Sequence, residues 1–261
     1  MTTTVDPAQP NYMYGPINQP VSYEGASTNF KNGYKGLFSG EPDQLAAREI
    51  RFLQLRSAHA VRNNGYARIA QKKWVTNANA ITILWKDNKG KSHKVMQKLW
   101  DEFCLNPNYD GMGDYNVTQG VSNSSIFLNG NSYIRKLIVR NGNTNIVPLK
   151  LQLIPAQLHA IGQSKPLNQL NPGEISRYGM VFNNGIPTEY VFRKGQLDLT
   201  IEGMKTGMLT YVPANEIVHT FIRDEPGQWI GIPMLSSVLL SLYELDELVS
   251  ATVDKQKAAQ A

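Results

Sequence analysis

The residues of this chain whose types could do chemistry are four histidines, one cysteine and one corner rich in proline and glycine. His59, His93, His159 and His219 lie too far apart to form a local ligand pair such as HExxH. Cys104 stands alone, so neither a CxxC zinc or redox motif nor an intrachain disulfide is available. It falls on an apolar helix pattern and reads as a buried structural thiol. No GxxxxGK[ST] phosphate loop, strand-linked GxGxxG or GxSxG elbow is present, and Gly111-Met112-Gly113 reads as an ordinary loop. His219, within Ile217-Val218-His219-Thr220-Phe221, reads as a hydrogen-bonded core or edge histidine of a strand. Carboxylates are plentiful, yet none is marked out as a catalytic pair. The expectation is a protein that is not an enzyme, with no catalytic residue, no metal ligand set and no cofactor. The segment from Arg223 to Pro233 stands out: Pro226, Gly227, Gln228, Gly231 and Pro233 describe a tight corner joining a strand to a long helix. It reads either as a shaped contact or hinge, or as a loop with helix-start chemistry.

The chain of 261 residues is 41% hydrophobic, enough to bury a core in one large or two ordinary domains. Its formal charge of +5 points weakly towards anionic partners. The charge is concentrated: between residues 46 and 98, Arg48, Arg51, Arg56, Arg62, Arg68, Lys72, Lys73, Lys86, Lys89, Lys91, Lys94 and Lys98 face only Glu49 and Asp87. Such a run is either a solvated helical surface or an electrostatic footprint for DNA. The N-terminus lacks the basic and apolar regions of a signal peptide, and the longest apolar stretch, over 230–243, is broken by Pro233, Ser236, Ser237 and Ser241. These features predict a soluble, intracellular chain.

Positioning elements follow from periodicity. Residues 1–40 carry Pro7, Pro10, Pro16 and Pro20 without a helical or strand period, and read as an extended or disordered arm. Asp43 can cap a first helix, with Leu45, Ile50, Leu53 and Val61 on its apolar face, that breaks at Arg62-Asn63-Asn64-Gly65. A second helix is expected over 66–80, then a strand over 81–85 closed by the turn Asp87-Asn88-Lys89-Gly90. Further helices are expected over 92–104 and 116–128, with Asn129-Gly130-Asn131 as a hairpin-style turn. The period then changes to two. Hairpins are expected from 133–139 with 147–153 around Asn141-Gly142-Asn143, and from 178–182 with 188–192 around Asn183-Asn184-Gly185. Short strands are expected over 197–201, 209–212 and 217–221, the last two joined by the turn Pro213-Ala214-Asn215-Glu216. After Pro233, Leu235, Val238, Leu239, Leu242, Leu245 and Val249 recur at three and four, which predicts one helix of about 27 residues, roughly 40 Å long. Lys255-Gln256-Lys257-Ala258-Ala259-Gln260-Ala261 carries no stop signal, so the natural protein is expected to continue.

In order along the chain, three blocks resemble the lambda-like family of phage portal proteins. Arg62-Asn63-Asn64-Gly65-Tyr66-Ala67-Arg68-Ile69-Ala70 resembles that family's R-N-N-x-Y-A-R helix pair. Trp100 with Phe103, and Leu149-Lys150-Leu151-Gln152-Leu153-Ile154, fall in the expected order between the ends. The run from Val212 through His219 to Phe221, then Arg223, Pro226-Gly227-Gln228 and Gly231-Ile232-Pro233, resembles the family's stretch ending R-P-G-Q-x-R-G-x-P. Two departures stand beside it. Ile230 replaces the arginine before the second glycine, which removes any salt bridge that arginine makes, and Gly130-Asn131 replaces a frequent Gly-Glu.

The resemblance implies an α+β fold: a portal-type wing domain over 41–232, with N-terminal helices and antiparallel hairpins, and a long helix over 233–261 entering the stem. It also implies a non-catalytic subunit of a homo-oligomeric ring, typically of about twelve copies, at one capsid vertex of the virion. Double-stranded DNA would pass through it non-specifically during packaging and ejection. Terminase, head-tail adaptor, major capsid and scaffold proteins would be its partners, with no membrane, and assembly would take place in the host cytoplasm. Lys255 and Lys257 are the candidate DNA-channel residues, since a channel needs charges aimed at the phosphate backbone and no base readout. The parts that face motor and tail would lie past residue 261. Two other readings predict differently. A β-rich tail-associated or adhesin-like binding module would be a monomer or trimer with no role for the terminal helix. A hydrolase would show a deep pocket holding residues with shifted titration.

Overall fold

The computed structural model describes residues 41–79, 83–139, 147–194 and 209–260. The arm over 1–40, the turn at Asn141-Gly142-Asn143 and the strand expected over 197–201 lie outside the described residues. Helix α1 (Pro42–Asn63) begins on a proline, whose missing N–H costs nothing in the first turn, and ends at Asn64, which leaves helical geometry at φ −107°. Asn64 then caps α2 (Gly65–Ala78), its Oδ1 accepting from the Ala67 N–H at 3.0 Å. Helix α3 (Lys94–Leu105) is capped by the His93 imidazole and α4 (Tyr115–Asn129) by the Asp114 carboxylate. Two antiparallel sheets follow. One has the order β2-β1-β7, from β1 (Asn131–Ile138), β2 (Leu149–Ile154) and β7 (Ile217–Phe221); the other runs β3-β4-β5-β6, from β3 (Glu174–Arg177), β4 (Met180–Asn183), β5 (Ile186–Arg193) and β6 (Leu209–Pro213). Helix α5 (Leu239–Gln260) comes last. The α+β expectation and both hairpins hold. Among the described residues, no helix is long and apolar enough to cross a membrane.

The main core lies where the two sheets meet α1. Tyr133, Ile154 and Ile217 from the three-stranded sheet pack with Met180, Phe182, Tyr190, Phe192 and Val212 from the four-stranded one, and Ala46, Ile50, Ala156, Ile161 and Ile230 complete the cluster. A second cluster joins the helices: Val61, Ala67, Phe127 and Leu235, with Trp74, Leu239 and Leu242 against it. Leu235 is thus the anchor by which the root of α5 is held to the helical layer.

Several expectations change, each for a local reason. Residues 83–85 form no strand, and 81–82 lie outside the described residues. Lys86 alone bridges to Ser92, because the Asp87 carboxylate takes the N–H groups of Lys89 and Lys91 and closes a tight turn. Asn129-Gly130-Asn131 is no hairpin turn: Gly130, at φ 78°, is the left-handed cap of α4 and hands the chain straight to β1. The strand expected over 178–182 is divided by a turn at Tyr178 (φ 55°) and Gly179 (φ 73°), with the unforeseen β3 before it. A tyrosine at positive φ is uncommon, so nothing in its type announces the turn. The three-residue 3-10 turn at Ala214–Glu216 does follow β6, but β6 and β7 belong to different sheets and do not pair. Asp43 sits in the first turn without capping it. Cys104 is only half-buried, and burial together with the nearby Asp101 and Asp114 carboxylates holds its thiol above the ordinary range. The last helix starts at Leu239 rather than just past Pro233, because the Pro233 carbonyl accepts from both N–H and Oγ–H of Ser236 and keeps 233–238 in turns.

Where α4 passes into β1, Gly130 packs directly on Gly231. A Cβ on Gly130 would stand 2.3 Å from the Gly231 oxygen, and one on Gly231 would stand 2.1 Å from the Gly130 oxygen. Both obstacles are backbone, so neither can move aside cheaply. Gly130→Ala and Gly231→Ala should each lower unfolding free energy by more than about 3 kcal/mol in urea denaturation. Gly65→Ala, with nothing within 4 Å of the added atom, should be neutral or stabilising by up to about 1 kcal/mol.

Candidate functional site at the root of the long helix

The corner that the sequence singles out is built from its own residues outward. Pro226 presets φ and Gly227, at φ 83°, supplies the left-handed position, so Glu225–Gln228 closes with the Gln228 N–H on the Glu225 carbonyl at 3.3 Å. Gln228 is buried, and both ends of its amide are hydrogen-bonded. Its Oε1 accepts from the Asp224 and Glu225 N–H groups at 2.7 and 3.2 Å, while its Nε2 donates to the Ile230 carbonyl at 2.8 Å. Ile230 is buried in the main core, where it fills the position with carbon. Pro233 is buried as well, and the Met234 N–H donates to the Phe127 carbonyl of α4 at 3.1 Å. The five corner residues of the sequence reading therefore divide into two that make the turn, one that plugs it, one that permits close approach and one that leads to α5.

Two side chains outside the expected set tie this corner to the rest of the fold. The buried Asp43 carboxylate, 186 residues away in sequence, accepts from the Trp229 N–H (2.8 and 3.0 Å) and the Ile230 N–H (2.9 Å). Burial raises its pKa above the ordinary carboxylate range despite those bonds, which pull the other way. Asn131, the first residue of β1, faces Gly231 as an amide pair: the Gly231 N–H donates to Oδ1 at 2.8 Å and Nδ2 donates to the Gly231 carbonyl at 2.9 Å. The sequence holds a weak signal for Asp43, since a carboxylate after Pro42 reads as a cap, but it does not say for which segment. Asn131 sits in what reads as a turn, which hides its role.

Beneath the corner, two histidines are fixed as neutral rings. The Gly179 carbonyl 3.1 Å from His159 Nε2 can only accept, so that nitrogen carries the proton and Nδ1 accepts from the Tyr133 hydroxyl at 2.7 Å. His219 follows the same logic: Nε2 donates to Asn131 Oδ1 at 3.0 Å, and Nδ1 faces the Tyr190 hydroxyl at 3.4 Å. The Tyr133 and His219 rings stack with centroids 4.4 Å apart. Burial lowers the pKa of His159 to about 4, and burial with the neighbouring His159 lowers that of His219 to about 3. Burial likewise pushes the Tyr190 hydroxyl up to about 12. His159 and Tyr190 are enclosed in the core, and His219 is half-buried beside them. Among the described residues, no group of three or more His, Cys, Asp or Glu side chains could hold a metal ion.

From the corner the chain enters α5. Near its root the Asn64 amide donates to the Asp246 carboxylate at 2.9 and 3.1 Å, so the break between α1 and α2 is joined to the long helix. Between α1 and α5 runs an open groove of about 500 Å³, whose lining includes Leu53, Ala60, Leu239 and Leu242 with Arg56 and Asp246. No residue of α5 is fully buried, and Leu240, Tyr243, Leu248 and Val249 are each more than half exposed. Lys255 and Lys257 lie in this uncovered stretch, with Lys257 Nζ 3.8 Å from the Asp254 carboxylate.

A family model described as the lambda family of phage portal proteins matches residues 34–261. The chain belongs to that family. Its fold is similar to chains of solved gene transfer agent particles. One comes from the neck of an empty particle computed with C6 symmetry, at 14% identity, TM-score 0.48, covering 78% of this chain and 46% of that one. Another comes from the neck of a native particle computed with C12 symmetry, at 14% identity, TM-score 0.48, covering 79% and 45%. A third, from the virion of a native particle, is 13% identical with a TM-score of 0.44, covering 85% and 48%. The present chain thus spans about half the length of the solved chains it matches. No curated protein matches it in sequence. Family membership decides for the portal reading over the adhesin-like module.

Two tests follow from the corner. Asp43→Ala leaves the Trp229 and Ile230 N–H groups without an acceptor and should cost about 2–4 kcal/mol, whereas Asp43→Asn keeps one oxygen there and should cost less; urea denaturation ranks the pair. The histidines set a pH window. Their folded pKa values lie below the unfolded value near 6.5, so the unfolded chain binds more protons between those limits. Their contribution is intact above about pH 6.5 and is lost as pH falls towards 4, by at most about 1.4 kcal/mol per pH unit for each ring. His219→Gln should flatten the fall of melting temperature between pH 6.5 and 4, and His59→Gln, at an exposed position, should leave it unchanged.

Proposed function

We propose that this chain is a structural, non-catalytic subunit of a head-tail connector ring at one capsid vertex, through which double-stranded DNA passes during packaging and ejection. The observation that carries the reading is the match to the portal family over residues 34–261. The described structure supports it in a specific way. Two sheets and four helices hold one corner, and that corner launches a helix of 22 residues, about 33 Å long, with no buried side chain of its own. A helix so exposed in the single chain is suited to being covered by neighbouring copies of the chain. On this reading residues 41–232 form the wing and 233–261 lead into the stem. The virion vertex is the location, the ring has roughly twelve copies, and terminase, adaptor, capsid and scaffold proteins dock on the assembled ring. The setting of His159, buried in the core, and of His219, half-buried with both ring nitrogens facing hydrogen-bond partners, supports a structural role for the two rings.

Of the two channel candidates, one fits better. Two residues apart on an α-helix, side chains leave on nearly opposite sides, so a single DNA-facing stripe cannot centre both Lys255 and Lys257. Lys257 has the Asp254 carboxylate beside it. Lys255 is the better placed cation for a phosphate backbone sliding past.

Native mass spectrometry of the full-length protein tests the proposal. A closed assembly near twelve copies is expected. A protein that stays monomeric at micromolar concentration overturns the ring.

A further inference from the structure

Two helices of this chain carry exposed apolar residues of the same pattern and opposite charge. The outer face of α1 shows Phe52 (63% exposed) and Leu55 (61%), flanked by the exposed Arg51 and Arg62. At 100° per residue these four fall on one side of the helix, away from the buried stripe of Ala46, Ile50 and Ser57. The outer face of α5 shows Leu240 (70% exposed) and Leu248 (64%), with the exposed Glu244 and Glu247 between them. From Leu239 to Asp254 that helix carries four carboxylates and no cation. Among the described residues, neither Arg51 nor Arg62 has an ion-pair partner, and neither Glu244 nor Glu247 has a cationic one. Large apolar side chains ringed by charge on an isolated chain mark a protein-binding surface.

We infer that the basic-apolar face of α1 in one copy is covered by the acidic-apolar face of α5 in the next copy of the same chain. The inference rests on the ring reading above and names the surfaces that close the ring. Three observations carry it. The first is charge complementarity: arginines beside Phe52 and Leu55 meet carboxylates beside Leu240 and Leu248, and opposite potentials both steer and hold such a contact. The second is intramolecular geometry. Within one chain the α1–α5 groove is lined by Leu53 and Ala60 from α1 and by Leu239, Leu240 and Leu242 from α5; Leu240 stands at its border, while Phe52, Leu55 and Leu248 lie outside the lining and stay exposed, so the two outer faces do not cover each other in one copy. The third is sign. Neither face can pair with its own duplicate, because arginine would meet arginine or carboxylate would meet carboxylate. The contact is therefore heterologous, and a heterologous contact generates a ring when its rotation closes.

Charge reversal with mixing tests this on the full-length protein. Arg51→Glu with Arg62→Glu makes both faces acidic, and Glu244→Arg with Glu247→Arg makes both basic; all four positions are exposed, so the fold should persist, as circular dichroism would verify. Each double variant alone should lose the rings seen by native mass spectrometry for the unaltered protein under the same conditions. Their equimolar mixture should recover rings in which the two variants alternate in equal number. Rings that persist in both variants would overturn the proposed contact and leave the ring reading standing. Loss of rings without recovery on mixing would equally overturn it. Persistence of rings with loss of DNA retention in the arginine variant would assign the basic face to DNA instead. A monomeric unaltered protein would overturn both readings together.

Discussion

A buried carboxylate holds the start of the first helix to the root of the last. Asp43 accepts from two consecutive backbone N–H groups, at Trp229 and Ile230, and gives the corner a fixed origin in the main core. The long helix leans on that fixture, because α5 contributes no fully buried residue of its own and is otherwise held only near its root, by Leu239 and Leu242 and by the Asn64–Asp246 bonds. The contact between Gly130 and Gly231 and the amide pair from Asn131 repeat the constraint from the other side, through α4 and β1. A carboxylate whose pKa is raised by burial and which still makes these bonds is a costly choice for mere stability. Its use here is geometric: it specifies one position for a backbone segment that has no sheet or helix partner.

The two neutral histidines belong to the same arrangement. His219 reaches Asn131, which reaches Gly231, so the ring under the sheet and the corner above it share one hydrogen-bonded path. Tyr133 stacks on His219 and donates to His159, which joins the β3-β4 turn at Gly179 to the first sheet. Fully satisfied networks of this kind specify a unique core. They also account for the strongly shifted titration, whose largest cause is burial.

Much of this was legible in the sequence, and the parts that were not share a physical cause. Period-two runs around Asn-Gly turns gave both hairpins, the Asn63-Asn64-Gly65 break gave the α1–α2 boundary, and the Pro-Gly spacing marked the corner. Side chains that act on distant backbone could not be read. Asp43 looks like the cap of its own helix, and only the fold reveals that its acceptors serve residues 186 and 187 positions away. Tyr178 hides a turn because its type does not favour positive φ, and Gly130 has the same composition whether it opens a hairpin or ends a helix. Pro233 suggested a helix start, but the adjacent Ser236 competes for its carbonyl and delays the helix to Leu239.

The central claim is that the corner aims α5 along the axis of a ring, leaving its exposed faces to neighbouring copies and to DNA. Electron cryomicroscopy of the full-length protein addresses it most directly. The account predicts a closed ring in which α5 runs beside the central channel and Lys255 faces the lumen. A reconstruction in which α5 packs on the outer surface, remote from the axis, would contradict it.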